Sequence, residues 1–156
     1  MADFNQAISL VLQQEGGLHT EPGDSGGLTN WGISQNNNPE INVASMTKDD
    51  AAAWYRANYW VFDGVQDQRV ATLLFSMCVN MGGKVAKREY NAAIRVAQKV
   101  CGTNQDGLWG DMTLHLVNTT PDVLAELGTL YVNRYIALNH PNDITGWIRR
   151  VMECVI

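Results

Sequence analysis

Apolar residues recur along most of the chain at the spacing of an amphipathic α-helix. In residues 3–15, Phe4, Ile8 and Val11 fall on one face at 100° per residue. The same periodicity, read with capping and stop residues, predicts further helices from the capping box at 47–50, over 69–83, over 84–101, from Pro121 to about 139, and over 142–155.

Residues 18–34 break this pattern, because they are rich in Gly and Thr and favour turns and short strands. The predicted fold class is therefore mainly α: a helical bundle with one small β hairpin after the first helix. With 156 residues and no repeat or low-complexity tract, the chain is predicted to form one compact domain, 1–156. A functional division is expected near Gly82, between a half at 1–81 and a helical half at 82–156.

Charge is distributed unevenly along the chain. The net charge is −5, yet six of the eleven basic residues lie between 69 and 101. An acidic chain argues against nonspecific binding of nucleic acid, which depends on many phosphate contacts. On a helix over 84–101, a basic stripe would be either a solvated face or a ridge that orients the protein on an anionic polymer; its members are Lys84, Arg88, Arg95 and Lys99.

The N-terminal stretch has no basic region ahead of its apolar residues, and no apolar run reaches the ~18 residues that span a bilayer. We therefore expect synthesis in the cytoplasm without a signal peptide and no stable insertion into a membrane. Three cysteines cannot all pair, and we expect reduced, mostly buried thiols. The three histidines lack the spacing of zinc ligands, so neither a metal nor a cofactor is predicted.

Glu15 continues the apolar series 4, 8, 11, 15 at the end of the first helix. Burial and the negative end of the helix dipole both disfavour an ionised carboxylate there, so this position is expected to hold a protonated acid. Asp24, nine residues later in a polar loop, is expected to stay ionised. Two carboxylates in such different settings are typical of glycosidic bond cleavage, although a Glu before Gly is also common at ordinary helix ends.

Several motifs together resemble glycoside hydrolase family 108, the lysozyme-like N-acetylmuramidases common among bacteriophage endolysins. They are "QQEGGLHTEPGDSGGLTNWGIS", "WYRANYW", "LLFSMCVNMGGKVAK", "DGLWGDMTL" and "GWIRRV". The resemblance implies an α+β lysozyme-like fold and hydrolysis of the β-1,4 bond between N-acetylmuramic acid and N-acetylglucosamine. It implies Glu15 as the catalytic acid, Asp24 as base or charge stabiliser, and Thr29 as the residue that positions water. The latter half resembles the peptidoglycan-binding region that accompanies this motif.

Four further residues are candidates for substrate binding. Trp31 lies beside Asp24 and Thr29 in the turn-rich segment, and Tyr59 lies in the matching stretch "WYRANYW". Ser76 and Asn80 belong to a polar stripe on an otherwise apolar helix, where they either face a cleft or bond within the fold. Relatives tend to carry an acid at the position of Ser76.

The sequence thus predicts a monomeric peptidoglycan hydrolase whose partner is the glycan strand. It would act on the bacterial cell wall, in the periplasm, after release through a pore or a delivery system. Two alternatives stay open: a noncatalytic wall-binding module, and the same muramidase used as a secreted effector or virion component. Whether cleavage inverts or retains the anomeric configuration also stays open, because the outcome depends on the separation of the two carboxylates.

Overall fold

Helices make up most of the computed structural model, which describes residues 1–20 and 27–156. This confirms the mainly α, lysozyme-like fold class. Two short 3-10 turns occur at Val43–Ser45 and Val85–Lys87. The α-helices of the described residues are α1 (Phe4–Glu15), α2 (Lys48–Tyr59), α3 (Gln68–Met81), α4 (Ala92–Val100), α5 (Asp111–Thr119), α6 (Val123–Leu138) and α7 (Ile144–Val155).

A small antiparallel sheet follows α1, with β1 (His19–Thr20), β2 (Leu28–Asn30) and β3 (Ile33–Ser34) in the order β1-β2-β3. The predicted small β structure after the first helix is confirmed, and a third strand pairs beside the predicted hairpin. Between β2 and β3 the chain reverses through Trp31 and Gly32, which both have positive φ, 53° and 76°. A two-residue turn with two positive φ values matches the right-handed twist of the strands that it joins.

Polar side chains fix the starts of several helices. The predicted capping box of α2 is confirmed: the Thr47 hydroxyl accepts from the Asp50 backbone N–H, and the Asp50 carboxylate accepts from the Thr47 N–H. Asp3 and Asp67 cap α1 and α3 in the simpler way, through one carboxylate each. Such caps satisfy backbone donors that the first helical turn leaves unpaired.

The predicted helix over 84–101 is wrong. A 3-10 turn occupies its beginning, Arg88 is left-handed at φ 59°, and α4 begins only at Ala92. The buried Asn91 explains this break. Its carboxamide caps α4 and donates to the carbonyls of residues 78, 82 and 83, so this side chain bonds α4 to the end of α3.

The predicted basic stripe is therefore also wrong, because Lys84 and Arg88 precede α4 and only Arg95 and Lys99 lie on it. Two other boundaries also differ from expectation. Helix α5 was not predicted, and Pro121 precedes α6 rather than occupying its first turn.

Helix α3 is the centre of the fold. It buries residues 70–78 and contacts α1, α2, α4, α6 and α7, so helices from both predicted halves pack on it. All three cysteines are free, with Cys78 and Cys154 buried and Cys101 half-buried. Among the described residues, no helix combines the length and the apolar character that crossing a bilayer requires.

Candidate active site

The carboxylate of Glu15 lies at the C-terminal end of α1, directly before the glycine at which the helix ends. Its Oε1 accepts from Nη1 of Arg150, on α7, at 2.6 Å. Both side chains are largely shielded, with 16% of Glu15 and 12% of Arg150 exposed. The expected apolar surroundings of Glu15 are thus wrong in one respect. A cation from the far end of the chain faces it and offsets the negative helix end.

The turn between β2 and β3 forms one wall of this position. A Cβ placed on Gly32 would overlap Oε2 of Glu15 and lie 2.7 Å from the Tyr55 hydroxyl oxygen. The backbone therefore approaches the carboxylate more closely than a residue with a Cβ could at this position. We call Glu15, Gly32, Tyr55 and Arg150 the Glu15 site.

Tyr55 ties that turn to α2. Its hydroxyl donates to the carbonyl oxygen of Trp31 at 2.9 Å, and the side chain is almost fully buried. Burial raises the pKa of Tyr55 well above its ordinary value, and the nearby Glu15 carboxylate raises it further. The phenol stays neutral, so it remains a donor that holds the turn against Glu15.

Trp31 adopts a positive φ of 53°, which is uncommon for a bulky residue and costs on the order of 1–3 kcal/mol. Its ring is half-buried. The hydrogen bond from Tyr55 helps to hold this conformation. Strained residues of this kind often lie at functional sites, where the surrounding structure holds them in place.

Gln14 braces the other side of the Glu15 site. Its Oε1 accepts from the Ser76 hydroxyl at 2.7 Å and lies 3.5 Å from Nη1 of Arg150. Its Nε2 donates to the Arg150 backbone carbonyl at 3.3 Å and to the Glu153 carboxylate at 3.1 Å. One amide therefore connects α1, α3 and α7. Ser76 is fully buried, and its hydroxyl serves this brace.

Asn80 lies exposed near the end of α3, and its Oδ1 accepts from the Tyr135 hydroxyl at 2.6 Å. Burial raises the pKa of Tyr135 to about 12, so this phenol also stays a donor. Because the Oδ1 is occupied, the N–H donors are the hydrogen-bonding groups that this amide can offer to a ligand. An exposed, oriented amide donor can bind a sugar hydroxyl or acetamido carbonyl.

The remaining predicted residues are placed as follows. Thr29 is 8% exposed and lies in β2, opposite His19 and Ser34. Tyr59 is 9% exposed, its ring packs 5.9 Å from those of Trp54 and Tyr55, and burial raises its pKa to about 12. Asp24 lies outside the described residues.

Sequence reasoning missed Arg150, Gly32 and Tyr55 as parts of the site. Two of them lie in the motifs "TNWGIS" and "WYRANYW", and Arg150 lies in "GWIRRV", but only the folded chain brings these motifs to Glu15. Within residues 1–20 and 27–156, no three His, Cys, Asp or Glu side chains lie close enough together to hold a metal ion.

Comparison with known proteins gives two similarities. Residues 8–82 match the model of a family described as Glycosyl hydrolase 108. The structure of Brucella abortus SagA superposes with a TM-score of 0.78 at 27% sequence identity, covering 97% of this chain and 91% of that one. No curated protein matches the sequence.

Proposed function

Because the family match places Glu15 inside a glycosyl hydrolase 108 segment, we propose that the protein is a glycoside hydrolase that cleaves peptidoglycan. The bond is the β-1,4 linkage between N-acetylmuramic acid and N-acetylglucosamine. The observation that carries this proposal is the shielded carboxylate at the end of α1, fixed against a close backbone turn. A general acid needs such a fixed and partly desolvated position.

In the proposed reaction, Glu15 donates its proton to the glycosidic oxygen as the bond breaks. Asp24 acts as base toward water or stabilises the positive charge that develops on the sugar ring, and Thr29 helps to position the water. The distance between the two carboxyl groups decides the stereochemistry. A separation of roughly 6.5–9.5 Å leaves room for water and gives inversion, whereas about 5–5.5 Å permits direct attack and retention.

Two described residues are suited to hold the glycan. Trp31, kept in its strained conformation by Tyr55, offers a flat ring on which the C–H face of a sugar can stack. Asn80, whose carbonyl side is taken by Tyr135, offers an amide donor. Both contacts are part of the proposal, and loss of either is expected to raise KM more than it lowers kcat.

The test is the clearing of purified cell-wall sacculi, followed as loss of turbidity. Glu15→Gln removes the proton but keeps the size of the side chain, and it should lower turnover by ~10²-fold or more. The exposed Glu126→Gln, on α6, is the matched control and should clear sacculi at the wild-type rate. Near-native clearing by Glu15→Gln would show that Glu15 is not the catalytic acid.

The same assay separates catalysis from the alternative of a noncatalytic wall-binding module, which would sediment with sacculi without clearing them. Mass spectrometry of the reduced digestion products identifies the bond. The proposal requires reduced N-acetylmuramic acid at the new ends, whereas reduced N-acetylglucosamine would indicate a glucosaminidase.

The proposed place of action is the bacterial cell wall, which a monomer would reach from the cytoplasm through a pore or delivery system. An endolysin role predicts rapid lysis when the protein is coexpressed with a pore-forming membrane protein. Delivery as a secreted effector or in a virion predicts that the protein is recovered with that machinery instead.

A further inference from the structure

A surface cavity of about 290 Å³ lies beside the Glu15 site, between the end of α1 and one face of α7. Polar groups dominate it, and two consecutive arginines contribute to it. Its lining residues are Gln13, Gln14, Gly146, Arg149, Arg150 and Glu153.

Two charged side chains at this cavity, Arg149 and Glu153, form no ion pair among the described residues. Arg150 pairs with Glu15, and the Glu153 carboxylate accepts from Gln14. Arg149 is exposed, and within residues 1–20 and 27–156 it forms no ion pair. The lining therefore carries two arginines and one carboxylate, and its net positive charge in a concave, polar setting favours an anion whose two oxygens a guanidinium can bind through its planar fork.

Gly146 keeps the cavity open. It lies in the first turn of α7, and a Cβ there would meet no atom within 4 Å. Packing does not require a glycine at this position, and a helical glycine costs roughly 0.5–1 kcal/mol relative to alanine. The missing side chain instead leaves space one turn before the two arginines.

We propose that Arg149 and Arg150 form a carboxylate-binding subsite that holds an anionic group of the glycan substrate next to Glu15. This inference rests on the proposed function in one respect: it takes peptidoglycan as the ligand. Peptidoglycan carries carboxylates on its stem peptides and, where the peptide has been removed, on the lactyl group of muramic acid. A neutral glycan carries neither and would lack this contact.

Binding at this subsite also affects the acid. Arg150 donates to Glu15 through Nη1 at 2.6 Å, so a second carboxylate that engages Arg150 competes for the same cation.

The experiment measures equilibrium binding of soluble glycan fragments by calorimetry in a Glu15→Gln background, which prevents turnover. The fragments carry stem peptides with free carboxylates, the same stems fully amidated, or a lactyl carboxylate without a stem. Arg149→Gln should weaken binding of a carboxylate fragment about tenfold or more, since bonds to charged groups are the stronger class. Binding of the amidated fragment should change less than about twofold, by the same reasoning.

Two further variants make the test specific. Gly146→Leu fills the cavity and removes no charge, and it should weaken the binding of the carboxylate fragments as Arg149→Gln does. Arg95→Gln, on α4, removes an exposed cation elsewhere and should leave all three affinities unchanged. The fragment whose binding depends on Arg149, stem-bearing or lactyl, identifies the carboxylate that the subsite binds.

The subsite proposal would be refuted if Arg149→Gln weakened the binding of free and amidated fragments equally. It would also be refuted if Arg149→Gln left the binding of both carboxylate fragments unchanged. Because the readout is binding, it decides this point even if wild-type protein fails to clear sacculi. Failure to clear would refute the proposed hydrolysis alone, and unchanged affinities would refute the subsite alone.

Discussion

Replacing Gly32 with alanine tests whether the backbone turn positions Glu15. The new methyl carbon would overlap Oε2 of Glu15 and lie 2.9 Å from its Cβ and 2.7 Å from the Tyr55 hydroxyl oxygen. Gly32 also has φ +76°, where an L side chain costs roughly 1–2 kcal/mol. Relief of the overlap requires the carboxylate to move by about 1 Å, a misplacement that can cost ~10²-fold in rate.

The prediction therefore has two parts, a modest loss of stability and a large loss of activity. Gly102→Ala supplies the matched control, because Gly102 follows α4 at φ +67° with no atom within 4 Å of its added Cβ. Gly102→Ala should lose about 1–2 kcal/mol, or roughly 2–8 °C in Tm for a chain of this size, and Gly32→Ala should lose at least as much, because its overlaps add to the same backbone cost. Only Gly32→Ala should clear sacculi ~10²-fold more slowly.

Urea unfolding gives the free energies, and turbidity loss well below either Tm gives the rates. If Gly32→Ala retained activity within about twofold, the turn would not position the acid, because the expected loss is far larger. An equal loss of activity in Gly102→Ala would show that general destabilisation, and not the contact with Glu15, causes the defect.

Three other predictions follow from the packing. Asn91→Ala removes the cap of α4 and takes this donor from the buried carbonyl of residue 78 and the part-buried carbonyls of residues 82 and 83, so it should cost about 2–4 kcal/mol in urea unfolding; a loss below ~1 kcal/mol would contradict this. Burial raises the pKa of the Cys154 thiol to about 11 from an ordinary 9.0, so its stability contribution is full below pH 9.0 and is lost as pH rises through about 11. Cys154→Ala should flatten the fall of unfolding free energy over that range by up to about 1.4 kcal/mol per pH unit, and parallel curves would refute the assignment. Residues 1–82 alone should show no cooperative thermal transition, because α3 loses α4, α6 and α7, and a sharp transition would mean that this segment folds by itself.

The sequence predicts those helices whose periodicity and local caps agree. Helix α1 has a clear apolar face, and Thr47 and Asp50 form the predicted capping box. The span 84–101 shows the limit of this reasoning. Its periodicity is compatible with one helix, but the hydrogen bonds of Asn91 to three carbonyls outside α4 favour a break, and these depend on tertiary structure.

The candidate site, too, can be predicted from the sequence only in part. Position along α1 predicts that Glu15 turns toward the body of the protein, and the structure leaves its side chain only 16% exposed. Its partner could not be predicted, because 135 residues separate Glu15 from Arg150 and no local spacing relates them. The close approach of Gly32 to Glu15 could not be predicted either, since glycine occurs in turns for many reasons.

The most direct test of the central claim compares two kinds of new end in digested sacculi: reducing sugar ends and free amino groups. Glycosidic cleavage driven by Glu15 predicts that wild-type protein releases reducing ends without amino groups, and that Glu15→Gln releases ~10²-fold fewer. Release of amino groups by wild-type protein, or undiminished reducing ends from Glu15→Gln, would contradict the account.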